Sequence, residues 1–280
     1  VHFFDFYLLW MTIQFVIKTP AWAAEGLPLA DIARLYLVSF IDPFGTLWFI
    51  YILPVFFIVA RLLKNLPWQL TLGVAALLEI APIHTGWMIP DEFAARYVYF
   101  LAGYLFAANI FTLADWAKAN VGSALALLAA WFAVNGWATF TPAQLPQWAN
   151  VSGPLFVSDL PIVSLALGAA GGAAVVVLTA LLSMVPAMRF LGYLGKNSIV
   201  VYLAFFLPLA VMRGVLLKFA PMLDIGTVAL LVTIAGVCGP VILKLAIDRT
   251  GFGNFLFERP QWARIEPVSG AAKARLSPAE

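Results

Sequence analysis

The sequence predicts an all-α fold, a polytopic bundle of about eight membrane-spanning helices. Three observations carry that expectation. First, the 280 residues are 63% hydrophobic and only 11% charged, with mean hydropathy +0.96, whereas soluble domains carry about 25% charged residues. That much apolar surface has no single aqueous core to hide in, so lipid becomes the solvent. In lipid every backbone group must be paired internally, which leaves helix bundles and closed barrels. Second, the apolar runs are long and continuous and do not alternate with period two, which selects helices over a barrel. Third, Lys and Arg gather in alternate connections, the charge asymmetry of multi-pass proteins.

The elements follow in order. A first span, 3–17, is short and carries Asp5 and Gln14. A polar connection over 18–45 contains an interfacial segment at 29–40. Further spans are expected at 46–63, 68–83, 94–114, 121–140, 160–185, 199–217 and 225–247. The run 199–217 is long enough to cross a core of about 30 Å at about 1.5 Å per residue. Just before it, Gly192 and Gly195 read as a turn at the interface. Asn197 or Ser198 there is placed to cap the following helix by accepting from its free N–H groups. The stretch GAAGGAA at 168–174 lets another helix approach closely. The domain division is a bundle over 1–250 and a cytoplasmic tail over 251–280. Within the tail, 252–262 suits packing on the membrane surface, and 268–280 has the composition of a disordered segment.

Orientation follows from the basic residues. Arg61 and Lys64, Lys118, Arg189 and Lys196, and the tail's Arg249, Arg259, Arg264, Lys273 and Arg275 fall on one side if all eight spans cross. Basic residues favour the cytoplasm. The connections 83–93 and 141–159 contain neither Lys nor Arg and belong outside. Lys18, Arg34, Arg213 and Lys218 fall outside as well and dilute the rule. Trp22, Trp68, Trp87, Trp116, Trp137 and Trp148 flank the spans as interface anchors. No signal peptide is visible, because 1–17 lacks a basic n-region and a small-residue cleavage site.

Several functions are excluded. Net charge is +2, spread thinly, so no basic face offers itself to nucleic acid. Two histidines and one cysteine make no metal cluster, and neither a phosphate loop nor a dinucleotide fingerprint is present. Cys238 alone excludes an internal disulfide. Chemistry must therefore come from polar groups at lipid depth, which are costly and usually face the bundle interior. The candidates are Asp5, Gln14, Glu79, Asn109, Asn135, Asn197, Arg213 and Lys244. Arg213 and Lys244 lie near helix ends, where snorkelling is the plainer account. Glu79 and His84 are five apart and do not stack on one helical face, but Pro82 between them can turn the chain and bring them together. A carboxylate near an imidazole is a general-base arrangement, set against the plainer reading of a helix end with two solvated groups.

Three stretches carry a family resemblance. Gly45-Thr46-Leu47-Trp48-Phe49-Ile50 with Leu53-Pro54 resembles the G-x-LWFL-x-x-L helix of the membrane acyltransferase 3 family. Tyr99-Phe100-Leu101-Ala102-Gly103-Tyr104 is similar to its YFxxGY helix. Leu194-Gly195-Lys196-Asn197-Ser198 with Tyr202-Leu203 is similar to its LGxxSLxIYLxH helix, and Phe257-Glu258-Arg259-Pro260 also fits.

The resemblance implies a ten-helix bundle, of which this chain matches eight, N-terminally truncated. The arginine and histidine of the family's first helix have no counterpart in it, and Ala204 and Phe205 stand where a histidine often follows Tyr-Leu. No catalytic residue is therefore carried over, which leaves Glu79 and His84 as candidates, with Trp48, Asn197, Ser198 and Tyr202 as substrate-binding positions. The implied reaction moves an acyl group, commonly acetyl, from acyl-CoA to a hydroxyl of a sugar or glycan. Acyl-CoA (acetyl-CoA) is then a co-substrate, with no bound cofactor or metal, and the partners are membrane lipid and a glycan or glucan acceptor. The implied location is a bacterial-type inner membrane, with both termini cytoplasmic. The alternative is a transporter or export protein, which predicts inverted repeats with broken helices in matching halves.

Overall fold

A computed structural model describes residues 2–43, 45–81, 83–143 and 155–257. In chain order its helices are α1 (His2–Ala24), α2 (Leu29–Val38), α3 (Trp48–Leu62), α4 (Trp68–Ile80), α5 (Met88–Leu105), α6 (Ala107–Ala119), α7 (Val121–Phe140), α8 (Pro161–Leu182), α9 (Arg189–Lys196), α10 (Ser198–Ala204), α11 (Phe206–Phe219) and α12 (Ile225–Thr250). The all-α bundle is borne out. Single helices long and apolar enough to cross a bilayer run over Gly45–Asn65, Val121–Phe140, Pro161–Leu182 and Ile225–Thr250. Two bent pairs, α5 with α6 at 75° and α10 with α11 at 48°, are together long and apolar enough, each as a broken span or a re-entrant loop. The remaining two expected spans differ: α4 has only 13 residues, and α1, at 23, is interrupted by Asp5, Gln14 and Lys18.

The helices form two compact units, Thr19–Ser198 and Val1–Lys18 with Ile199–Glu280. In the second of these, α1 buries Tyr7, Trp10, Met11, Gln14 and Phe15, the i, i+3, i+4, i+7 stripe of a helix with one packed face. Trp10 Nε1 donates to the Leu256 carbonyl at 3.0 Å and its ring stacks on Phe257 at 5.7 Å. α12 starts at Asp224, whose side chain accepts from Thr227 N at 2.9 Å, and stops at Gly251, where φ is +68°. The expected single span 199–217 is instead broken at Phe205. Pro208, in the first turn of α11, has no N–H to give the Ala204 carbonyl, and its ring crowds that carbonyl. Gly239 on α12 is the counterpart of that proline: a Cβ there would collide with the Pro208 ring.

The larger unit has its core between α3, α4 and α5, where Ile52, Phe56, Ala75, Tyr97, Val98 and Leu101 are buried together. Phe93 and Tyr97 stack at 4.6 Å, and Phe56 meets both rings at 5.6 Å. α6, α7 and α8 approach on small side chains, with Ala117, Ala124, Val177 and Ala180 buried between them. The close approach expected of the small-residue stretch holds at Gly168, against Tyr99, and at Gly171, whose Cβ would lie 3.5 Å from Trp131. The expected span 94–114 is also broken, at Phe106 (φ −104°, ψ 22°), without a proline nearby.

Around 190–198 two local readings are corrected. Gly192 and Gly195 do not turn the chain: both lie inside α9. Asn197 does not cap the following helix: it closes the preceding one, its Nδ2 donating to the Tyr193 carbonyl at 2.9 Å. The tail expectations at 258–280 and the family-like Glu258-Arg259-Pro260 lie outside the described residues, as do Pro82 and 144–154.

Candidate functional site

The site is built where α4 ends. Thirteen residues reach about 20 Å, roughly 10 Å short of a hydrocarbon core. Ala81, which precedes Pro82, is extended (φ −71°, ψ 132°), as a residue before proline prefers. Residues 83–87 have no regular structure, and side chains accept from several of the donors there. Thr85 N and Oγ1 and Gly86 N donate to the Asp91 carboxylate at 2.7, 2.8 and 3.2 Å. Met88 N donates to Asp42 Oδ1 at 3.0 Å. Opposite this loop, the turn before α8 is closed by Phe156 N donating to Asp159 Oδ2 at 2.9 Å.

Between these pieces is a cavity of about 340 Å³. Four carboxylates line it, Glu79 from α4, Asp91 and Glu92 from α5 and Asp159 from the turn before α8, together with His84 and Ser164. Among the described residues no Lys or Arg lines it. Arg96, one turn along α5, pairs with Glu92 and lies 4.8 Å from the centre of the Trp48 ring.

Glu79 is held from two other helices. Its Oε1 accepts from the Tyr99 hydroxyl and from Ser164 Oγ, each at 3.2 Å. Its Oε2 is buried and has no partner among the described residues. A carboxylate with one oxygen fixed by two hydroxyls has its remaining lone pairs oriented, and the natural complement of those lone pairs is another hydroxyl. Among the described residues no three or more His, Cys, Asp or Glu side chains are grouped to hold a metal.

The sequence-level candidates separate accordingly. Glu79 and His84 line one cavity, Glu79 partly buried and His84 exposed. Trp48 packs on the core cluster of α3–α5 beneath Arg96. Asn197 is occupied in closing α9, Ser198 is exposed at the start of α10, and Tyr202 is half-buried with its ring 6.4 Å from Phe205. Of the other lipid-depth polar groups, Gln14 is 1% exposed. Asn109 and Arg213 are exposed, and Lys244 pairs with Asp248 at 2.7 Å. Sequence reasoning missed Asp91, Glu92, Asp159 and Ser164 as cavity residues and Tyr99 as a partner of Glu79. Tyr99 opens the YFLAGY stretch, and Ser164 is a hydroxyl one helical turn before Gly168, so both carried a signal that their pairing alone makes specific.

Searches of curated proteins and of solved structures return no match. A family model described as an acyltransferase domain, acyltransferase 3, matches residues 4–245. That stretch begins in α1 and ends in α12, so it takes in every helix of the bundle. The chain therefore belongs to the acyltransferase 3 family and is a multi-pass membrane acyltransferase.

Proposed function

We propose that the chain transfers an acyl group, acetyl in the simplest case, from acyl-CoA to a hydroxyl of a sugar or glycan, with the acidic cavity as the acceptor's seat. One observation carries this reading: Glu79 already accepts from two hydroxyls and keeps a second oxygen unpartnered among the described residues, beside a cavity rich in acceptors. Sugar hydroxyls are donors that such a cavity satisfies. The polyphosphate of a coenzyme A is repelled by these carboxylates and suits the side to which the charge rule assigns Arg61, Lys64, Lys118, Arg189 and Lys196. By the same charge rule the cavity end is extracytoplasmic, in a bacterial-type inner membrane with both termini inside. The acyl group then meets the hydroxyl within the bundle.

The hydroxyl oxygen attacks the thioester carbonyl, an ester C–O bond forms and the C–S bond breaks. The hydroxyl proton passes to a base and on to the departing thiolate. Glu79, and His84 at the rim, are the candidate bases; Trp48, Asn197, Ser198 and Tyr202 stay substrate-side candidates from the family resemblance.

The test is transfer of labelled acetyl from acetyl-CoA to sugar acceptors by the full chain in proteoliposomes, read as label released by mild alkali. Glu79→Gln keeps the side chain's shape and one acceptor oxygen; it is expected to raise the KM for the acceptor by about tenfold and, with Glu79 as the base, to lower kcat by about 100-fold, with the KM for acetyl-CoA little changed. Absence of alkali-labile label above protein-free vesicles defeats the proposal. The two bent helix pairs are the feature a transporter would use, and sugar uptake into the same vesicles without acyl-CoA would favour that reading instead.

A further inference from the structure

Tyr99 belongs to two hollows. Its hydroxyl donates to Glu79, which lines the acidic cavity. Its ring lines a second cavity of about 290 Å³, walled by Gly103 and Phe106 at the α5–α6 bend and by Gly168, Gly172 and Val176 on α8. Ser164 lines the first hollow and Gly168 the second, and residues four apart on a helix stand one above the other. The two cavities therefore adjoin across a single turn of α8. The second is apolar, and it is open because glycines form its walls: a Cβ at Gly103 or at Gly172 would meet nothing within 4 Å. From Ser164 to Val176 the combined feature runs about 18 Å along the helix.

We propose that the acceptor is an amphiphile, an uncharged hydroxyl-bearing head seated in the acidic cavity with its apolar chain lying in the groove along α8: a neutral glycolipid. The proposal rests on the reading of the acidic cavity as the acceptor site and adds the groove to it. Charge selects the head. A lipid phosphate held one helical turn from the chain would face four carboxylates, of which Glu92 alone is paired with an arginine, and no Lys or Arg lines the cavity among the described residues. A sugar instead donates to them. The apolar lining suits the chain, which leaves lipid for the groove without a desolvation cost and gains packing against its walls. Tyr99 stands at the junction, with its ring against the chain and its hydroxyl toward the head.

The experiment uses the full chain in nanodiscs with a photoreactive dodecyl glucoside carrying a diazirine in its chain, and adducts mapped by mass spectrometry. Adducts are expected within 99–106 and 168–176. Unmodified dodecyl glucoside should compete, and methyl glucoside and dodecyl phosphate should not. Gly172→Leu and, from the facing wall, Gly103→Leu each fill the groove and are expected to cut labelling about tenfold. Leu127→Phe, on an exposed face of α7, is expected to leave labelling as it was. Adducts scattered over the lipid-facing surface, or unmoved by both glycine variants, overturn the proposal, as does equal competition by dodecyl phosphate. Acetyl transfer to methyl glucoside, measured separately, tests the acceptor reading alone. Transfer without any chain effect removes the amphiphile, whereas mapped adducts without transfer remove the transfer reading and leave the groove.

Discussion

Replacing Gly168 by Ala adds one methyl group, and the geometry says where it goes. The new Cβ would lie 2.8 Å from Tyr99 Cζ and 2.9 Å from Cε1, with the hydroxyl oxygen closer still. Carbon atoms rest about 3.5–4.0 Å apart, so the ring must retreat by roughly 1 Å. The Tyr99–Glu79 bond is already 3.2 Å long, and a further displacement of that size ends it. Overpacking costs about 1–3 kcal/mol, and the lost bond to a carboxylate about 1–2 kcal/mol more. Against this, Ala in place of a helical Gly gains about 1 kcal/mol. The net expectation is a destabilisation of about 2 kcal/mol.

Gly172 supplies the control. It lies one turn further along α8, and a Cβ there would meet nothing within 4 Å. Gly172→Ala should therefore keep only the helix gain and raise stability by up to about 1 kcal/mol. The assay is unfolding of the purified protein in detergent, by heat or denaturant, followed by tryptophan fluorescence. Two glycines in one stripe should thus respond with opposite sign. A Tyr99→Phe background removes the atom nearest the new methyl, so the cost of Gly168→Ala should shrink there, a coupling read by a double-mutant cycle. If both alanines shift stability the same way, or if Tyr99→Phe leaves the Gly168→Ala cost unchanged, the contact between α5 and α8 described here is wrong.

Gln14 is 1% exposed, and neither its Oε1 nor its Nε2 has a partner among the described residues; Gln14→Leu should raise stability by about 1–3 kcal/mol, and a lower unfolding midpoint would count against that burial. Gly239→Ala should drive α11 off α12 through the rigid Pro208 ring and lose about 1–3 kcal/mol, while Gly236→Ala, whose nearest neighbour would be at 3.7 Å, should be close to neutral; equal unfolding midpoints for the two variants would refute this. Asp224 accepts from the Thr227 hydroxyl and N–H, which hold its carboxyl below the ordinary range. A depressed folded value means that its stabilisation is present above the unfolded value and is lost as pH falls through the folded one. Asp224→Ala should therefore lower the midpoint at neutral pH and converge with the unmodified protein under acid; a gap that persists in acid would show that the carboxylate's charge is not what matters.

The bundle was legible because lipid leaves so few alternatives: continuous apolar runs and sparse charge are enough to choose helices. The breaks within runs were not. Hydropathy treats Pro208 as one more apolar residue, whereas the backbone registers a missing donor, and at Phe106 the sequence has no proline to announce the 75° bend. Gly192 and Gly195 read as a turn because glycine permits one. Yet α9 carries them at ordinary helical cost and ends only at Asn197, whose side chain satisfies a terminal carbonyl. Glu79 was visible as a carboxylate in an apolar run, and it lines one cavity with His84. Its partners were not visible, since Tyr99 and Ser164 are 20 and 85 residues away and meet it only through packing of α4 on α5 and α8.

The shortness of α4 ties these features together. A helix of 13 residues leaves roughly 10 Å of bilayer to be crossed by backbone that is not helical. In lipid such backbone is tolerated only where protein or water satisfies it. Asp91 and Asp42 meet the donors of Thr85, Gly86 and Met88, which gives the carboxylates beyond α4 a structural reason to be there. In the cavity wall Glu79, Asp91 and Asp159 accept from protein donors and Glu92 pairs with Arg96, so the buried oxygen left for water or a polar ligand among the described residues is Glu79 Oε2. Lengthening α4 by one turn before Glu79 would advance it about 5.4 Å and displace the loop. The fold logic therefore predicts that the same insertion removes the cavity and exposes the loop's backbone donors to lipid, so that site and local stability fail together.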